Sequence, residues 1–287
     1  MYGGREAVAL TTRLCRVDPV YRIANGVGHA ALWSLGLDVR WTGAEHLPLE
    51  GPAIVASTHA SYPDFVFIEK AAVSRKRYIR FMTRHDVWHV RVVAPFMNNM
   101  RHIPVNREAP VHAYLRARRL LNEGEVVGGF PEAGISYSYT VRPLMRGFVS
   151  LAQQTGAPVV PLAVWGSQRL FSVGDPEPPP IDWTRRRRID LAFGPRLYVA
   201  PGDDLTERTH ELGHALTGLL EGVQQLPHHR PRPGEVATWY PAHLGGHAPT
   251  RQRARGLDVV PFNAVTPSWG PDLDAYDERL QQDPPTR

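Results

Sequence analysis

Short apolar runs alternate with amphipathic stretches over most of the chain. Runs near 37–42, 52–57, 78–83, 101–105, 125–130, 158–165 and 189–193 have the length of apolar strands. Between them, 63–73, 86–99, 110–122 and 146–155 read as helices. A longer helix is predicted over 206–225, where Leu212, Leu216, Leu219, Leu220 and Val223 make an apolar stripe at 3.6 spacing. Thr206 with Glu207 marks its start and Pro227 its stop. Strands interleaved with helices predict an α/β fold, a single-domain sandwich whose largely parallel central sheet is flanked by helices. A ligand cleft is expected beyond the strand ends.

The two ends of the chain read differently. Residues 1–38 form an N-terminal helical segment. Within it, 19–37 is amphipathic, with Val20, Ile23, Ala24, Val27, Ala31 and Leu35 along one side and Trp33 near the end. Such a helix either covers a core or lies in a membrane interface; Gly26 and Gly28 weaken it. Residues 39–226 carry the alternating elements. From Pro227 to Arg287 the chain turns rich in proline, histidine and arginine, with ten of its 27 prolines and no apolar period, and reads as an extended tail. Trp239-Tyr240-Pro241 and Val259-Val260-Pro261-Phe262 are its candidate docking points. No internal repeat is present.

Composition narrows the picture. A chain of 287 residues with 43% hydrophobic content buries one sizeable core. The single cysteine, Cys15, excludes an internal disulfide framework. The start, Met1 to Arg16, carries Arg5, Glu6 and Arg13 and lacks the apolar run of a signal peptide. No stretch approaches the roughly 20 apolar residues that span a bilayer. The net charge of +5 suits an anionic partner, but the basic residues are scattered and no nucleic-acid motif is present. Arg185 to Arg188 is the one dense run; it reads equally as a solvated turn or as a contact for anionic lipid headgroups, at about 1 kcal/mol per residue.

The candidate chemistry starts at Ser57-Thr58-His59-Ala60-Ser61-Tyr62-Pro63-Asp64. His59 falls on the loop leaving a strand and Asp64 in the first turn of the next helix. From there the carboxylate can fold back, accept the Nδ1 proton and leave Nε2 free to act as a general base. A lone loop histidine near an aspartate is more often a surface or capping residue. Three companion blocks change that balance: Arg101-His102-Ile103-Pro104-Val105-Asn106-Arg107, Phe130-Pro131-Glu132-Ala133-Gly134, and Ala157-Pro158-Val159-Val160-Pro161-Leu162-Ala163-Val164-Trp165-Gly166.

These four blocks, in this order from about Val39 to about Gln225, resemble the glycerolipid (lysophospholipid) acyltransferase family. The resemblance implies that His59 is the catalytic base and Asp64 its orienter. It places Ser61, Arg107, Glu132, Ala133, Gly134 and Arg146 at the substrate, with Arg107 on an acceptor phosphate. It further implies O-acyl transfer, with no cofactor, from an acyl-CoA or acyl carrier protein co-substrate to a lysolipid, lysophosphatidate to phosphatidate being the expected conversion. The partners would then be the thioester donor, the lysolipid acceptor and an anionic membrane surface, with no nucleic acid, and the location peripheral at the cytoplasmic face of the cell membrane.

The departures are specific. Thr58 stands where the family often has asparagine, and Arg101 where it usually has glycine. Ala133-Gly134-Ile135-Ser136 replaces a usual Gly-Thr-Arg-Ser, removing one expected cation for which Arg101, Arg142 or Arg146 is the candidate substitute.

A competing pattern lies at His210-Glu211-Leu212-Gly213-His214, which satisfies the His-Glu-x-x-His string of zinc metalloproteases. The chain has 13 histidines, so a chance match is easy, and the glycine and histidine of the extended zincin pattern are absent. These histidines are expected on or near the solvent edge of the last helix, and no metal ligands are assigned.

Overall fold

The computed structural model describes residues 19–258 and 267–271. Seven strands, β1 (Asp38–Thr42), β2 (Ala53–Ser57), β3 (Ile79–Arg84), β4 (Ile103–Val105), β5 (Val126–Gly129), β6 (Val159–Trp165) and β7 (Arg188–Phe193), form one sheet in the order β1-β7-β6-β2-β5-β3-β4. Strands β2 to β6 are mutually parallel, β7 is antiparallel to β6, and β1 follows β7. The α/β sandwich expected from the alternation is the fold observed.

All five residues of β2 are buried because both faces of the sheet are covered. Ile54 and Ala56 point into one hydrophobic layer with α4 (Val111–Asn122), α5 (Gly147–Thr155) and α6 (Leu205–Gln224). Ala53 and Val55 point into the other, with Phe67, Ile68, Ala71 and Ala72 of α2 (Asp64–Ser74) and Leu32 of α1 (Pro19–Ser34). The α6 stripe meets the first layer through Leu212, Leu216, Leu220 and Val223, each burial contributing about 1.5–3 kcal/mol. Asp204 starts α6, its side chain accepting the free N–H groups of Thr206 and Glu207. In β5, Gly128 is required by packing, since a Cβ there would meet Cγ2 of Ile79 at 2.4 Å.

Three regions differ from expectation. The helix predicted over 86–99 is broken into a 3₁₀ turn at His85–His89 and a short α3 (Ala94–Asn99). Pro95 lacks a donor and so begins a new helix instead of continuing one. On α1, the stripe residues Ile23 and Val27 are 63% and 66% exposed and Trp33 is 83% exposed, whereas Tyr21 and Leu32 face inward. Last, 227–257 is no free tail. Ala237, Trp239, Tyr240 and Ala248 join the first core layer, the Tyr240 hydroxyl donates to the Gln224 carbonyl, and α7 (Arg251–Leu257) follows. These apolar residues are buried one at a time, so no period announces them. The second docking point, Val259 to Phe262, lies outside the described residues, as do Cys15 and the rest of 1–18.

Candidate active site

Parallel strands bring their C-terminal ends to one edge, and the loops leaving β2, β4, β5 and β6 meet there. After β2 the chain turns through His59 into α2, whose first turn holds Asp64 with 0% exposure. Asp64 Oδ2 accepts from the His59 ring at 3.0 Å, from the Nδ1 side, and from the N–H groups of Ala60 and Ser61 at 2.9 Å each. Its Oδ1 accepts from the Ser61 hydroxyl and, at 2.6 Å, from the Ser167 hydroxyl that follows β6. Five donors and a helix N-terminus together fix this carboxyl group, which has no exposed surface. The His59 ring stacks on Phe130, with centroids 3.7 Å apart and planes 10° apart. Its Nε2 has no hydrogen-bond partner among the described residues.

The backbone of His59 is held by the loop after β5. Its N–H donates to Glu132 Oε1 at 2.8 Å, and its carbonyl accepts from Ser136 N–H at 3.0 Å. Glu132 Oε2 accepts from the Arg142 N–H at 2.8 Å, so this carboxyl ties the loop after β2 to both ends of the loop after β5. Burial pushes its pKa up to about 8, against the pull of those two N–H groups and the Arg142 cation. Glu132 is 2% exposed, and both of its oxygens are held by backbone N–H groups. Ser61, wholly buried, likewise serves Asp64.

Beside this framework lie three guanidinium groups, on Arg84, Arg107 and Arg142. Burial and the cations of Arg84 and Arg142 both lower the pKa of Arg107. Arg84 pairs with Asp86, and Arg142 with Asp258 at 3.1 Å. Arg107 donates only to the Ala133 carbonyl, at 2.8 Å, and has no carboxylate partner among the described residues. Ala133 holds that carbonyl in place at φ +55°, a conformation costing an alanine about 1–2 kcal/mol. Gly134 lets Arg142 lie across it, since a Cβ would meet Nη1 at 2.2 Å.

A family model described as Acyltransferase matches residues 38–165. A 1-acyl-sn-glycerol-3-phosphate acyltransferase of Bacillus subtilis (strain 168) is 32% identical over 145 residues, 49% of this chain and 71% of that relative. The chain belongs to the 1-acylglycerol-3-phosphate acyltransferase family. It is similar at lower identity to the enzyme of that name from Borreliella burgdorferi, 24% over 49% of this chain and 56% of the relative. A chloroplastic Brassica napus relative of the same name is 28% identical over 46% of this chain and 38% of its own length. The chain thus spans 71%, 56% and 38% of these three proteins. The fold matches the crystal structure of the Thermotoga maritima acyltransferase PlsC with a TM-score of 0.59 at 19% identity, covering 77% of this chain and 89% of that one.

Within this acyltransferase, the structure gathers His59, Ser61, Asp64, Arg107, Glu132, Ala133 and Gly134 at one edge of the sheet. Arg146 sits exposed at the N-terminal cap of α5, its carbonyl accepting from the Ser150 N–H at 2.9 Å. Of the candidate substitute cations, Arg142 is at the edge. Arg101 is not: it precedes β4 at the opposite end and pairs with Glu123 and, at 2.7 Å, with Glu125. Half of the 185–188 run also turns inward, where Arg187 pairs with Asp182 at 2.7 Å and Arg188 with Asp38 at 3.2 Å.

Three contributors were missed from the sequence. Ser167 is one residue past the fourth block, and a hydroxyl at a strand end was its only signal. Arg84 ends β3, in a strand that no block covers. Phe130 reads in the sequence only as a strand end, and nothing linear shows that it stacks under His59.

The His210-to-His214 string stays apart from this edge. Both histidines are exposed on α6, the His210 ring meets the Ser268 carbonyl at 3.0 Å, and Glu211 pairs with Arg208 at 2.7 Å. Among the described residues neither belongs to a cluster of three potential metal ligands.

Proposed function

We propose that this chain transfers a fatty acyl group from an acyl-CoA or acyl carrier protein thioester to the free hydroxyl of lysophosphatidate. His59 Nε2 removes the hydroxyl proton as the oxygen attacks the thioester carbonyl. Asp64 stabilises the imidazolium, which returns the proton to the departing thiolate, so the ester bond forms as the thioester bond breaks. A base so placed contributes about 10²–10⁴ in rate. The observation that carries this reading is the His59–Asp64 pair at 3.0 Å with the other ring nitrogen free of hydrogen-bond partners among the described residues.

The acceptor assignment rests on Arg107, a half-buried cation beside Arg84 and Arg142 with no carboxylate paired to it among the described residues. A phosphate monoester would supply the missing charge in bidentate form. Arg142 stands in for the arginine missing at 135. The names of the relatives point to the same acceptor.

Peripheral binding at the cytoplasmic membrane face fits the exposed Ile23, Val27 and Trp33 of α1 and the exposed Arg185 and Arg186. No described helix is long and apolar enough to cross a membrane. The test is release of free thiol from a long-chain acyl-CoA and from an acyl carrier protein, with lysophosphatidate and with monoacylglycerol as acceptors. Turnover that requires the phosphate supports the reading; no thioester consumption with either donor and either acceptor contradicts it.

A further inference from the structure

A second group of histidines converges away from the acyl-transfer dyad. Immediately after α6, Pro227 presets a 3₁₀ turn at Pro227–His229, and both imidazoles of this turn aim at one oxygen. His228 Nε2 lies 2.7 Å and His229 Nε2 2.9 Å from Asp190 Oδ2, on β7. The two rings are adjacent, with centroids 4.4 Å apart. Asp190 and His229 are buried, with 8% and 4% exposure, whereas His228 faces solvent. We propose that Asp190, His228 and His229 form a binding site for a divalent transition metal, zinc by preference.

The donor set is two imidazole nitrogens and one carboxylate oxygen, which suits zinc and other borderline cations far better than magnesium or calcium. The three ligand atoms already lie within 4.8 Å of one another. Tetrahedral zinc with bonds of 2.0–2.1 Å places its ligands about 3.3 Å apart, so the nitrogens retreat from Oδ2 by only about 0.5 Å.

The surroundings also resemble those of a ligand set. Asp190 Oδ1 accepts from Arg188 Nε at 3.2 Å, the kind of outer contact that orients a ligating carboxylate. The exposed side of His228 leaves room for water to complete four-coordination. The site lies beside the strand end that supports Asp64. A Cβ on Gly166 would come within 3.1 Å of His229 Cε1, and the next residue, Ser167, bonds Asp64. Bound metal would fasten the segment after α6 to β7, next to the carboxylate's support but without touching the dyad. The role is therefore structural, and it stands or falls apart from the acyl-transfer reading.

The test uses the full chain, stripped with a chelator and titrated with zinc chloride by calorimetry. Metal content after gel filtration and the visible spectrum of the cobalt form are measured in parallel. One equivalent of zinc is expected, with a tetrahedral cobalt band and an unfolding midpoint raised by about 5 °C. His228→Ala, whose exposed ring is dispensable for packing, should weaken binding by more than the 10–100-fold typical of losing an outer-shell contact. His210→Ala should leave it unchanged. Absence of a one-equivalent isotherm, unaltered affinity in His228→Ala, or loss of binding in His210→Ala would each overturn the site and leave a plain carboxylate–imidazole hydrogen-bond cluster.

Discussion

In the loop after β2, an imidazole and a carboxylate five residues apart meet at 3.0 Å; on α6, two imidazoles one turn apart stay exposed while the glutamate between them pairs with Arg208. Both stretches fit a catalytic string. They differ in what surrounds them. Asp64 receives donors from its own turn and from Ser167, and the His59 backbone is gripped by Glu132 and Ser136, over a hundred positions being brought together by strand order. The face of α6 with His210 and His214 receives no third ligand among the described residues. A short string becomes a site where strand ends bring distant segments to it, and a helix face supplies only its own neighbours.

That contrast can be broken most forcefully at Asp64. Asp64→Ala should reduce acyl transfer by at least about 10²-fold and lower stability by at least about 2 kcal/mol, because Ser167 and two buried N–H groups lose their acceptor. Steady-state kinetics and thermal denaturation measure both. Arg107→Ala should act on the acceptor instead. Loss of a charge-assisted contact of about 1.5–3 kcal/mol predicts an acceptor KM raised about 10–100-fold, with kcat nearly preserved and with little effect when the acceptor lacks phosphate.

Ser167→Ala removes one of five donors to Asp64 and should lower kcat by about fivefold, the effect of about 1 kcal/mol. On α6, the double change His210→Ala with His214→Ala should leave transfer within about twofold of the parent, as surface substitutions usually do.

Within α2 a subtler contrast concerns stability alone. Glu69, at the other end of the sheet from Asp64, accepts from Tyr21 and Ile79 through Oε2, and burial pushes its pKa up to about 8 from 4.5. The folded state therefore holds a proton that the unfolded chain releases. Its contribution is complete below about pH 4.5 and is lost as pH rises toward about 8. Glu69→Gln should remove that part of the decline, read as a flatter dependence of Tm on pH.

The fold was legible because most strands are short runs bounded by glycine or proline, and because most helices between them keep their period. The dyad was legible because His59 and Asp64 share one loop and one helix turn. What escaped detection depends on contacts between distant segments. Ser167 reaches Asp64 only once β6 lies beside β2. Arg101 looks equivalent to Arg107 in sequence, yet the two flank opposite ends of β4. Trp239 and Tyr240 cover the core from a proline-rich stretch whose lack of period concealed their burial.

The measurement that bears most directly on the account is acyl-CoA consumption with lysophosphatidate by His59→Ala protein whose circular dichroism and Tm match the parent. His59 is partly exposed, and its ring contributes one contact to Asp64, so the fold should persist. The account predicts a loss of about 10²–10⁴ in kcat. Transfer within about twofold of the parent rate would contradict it.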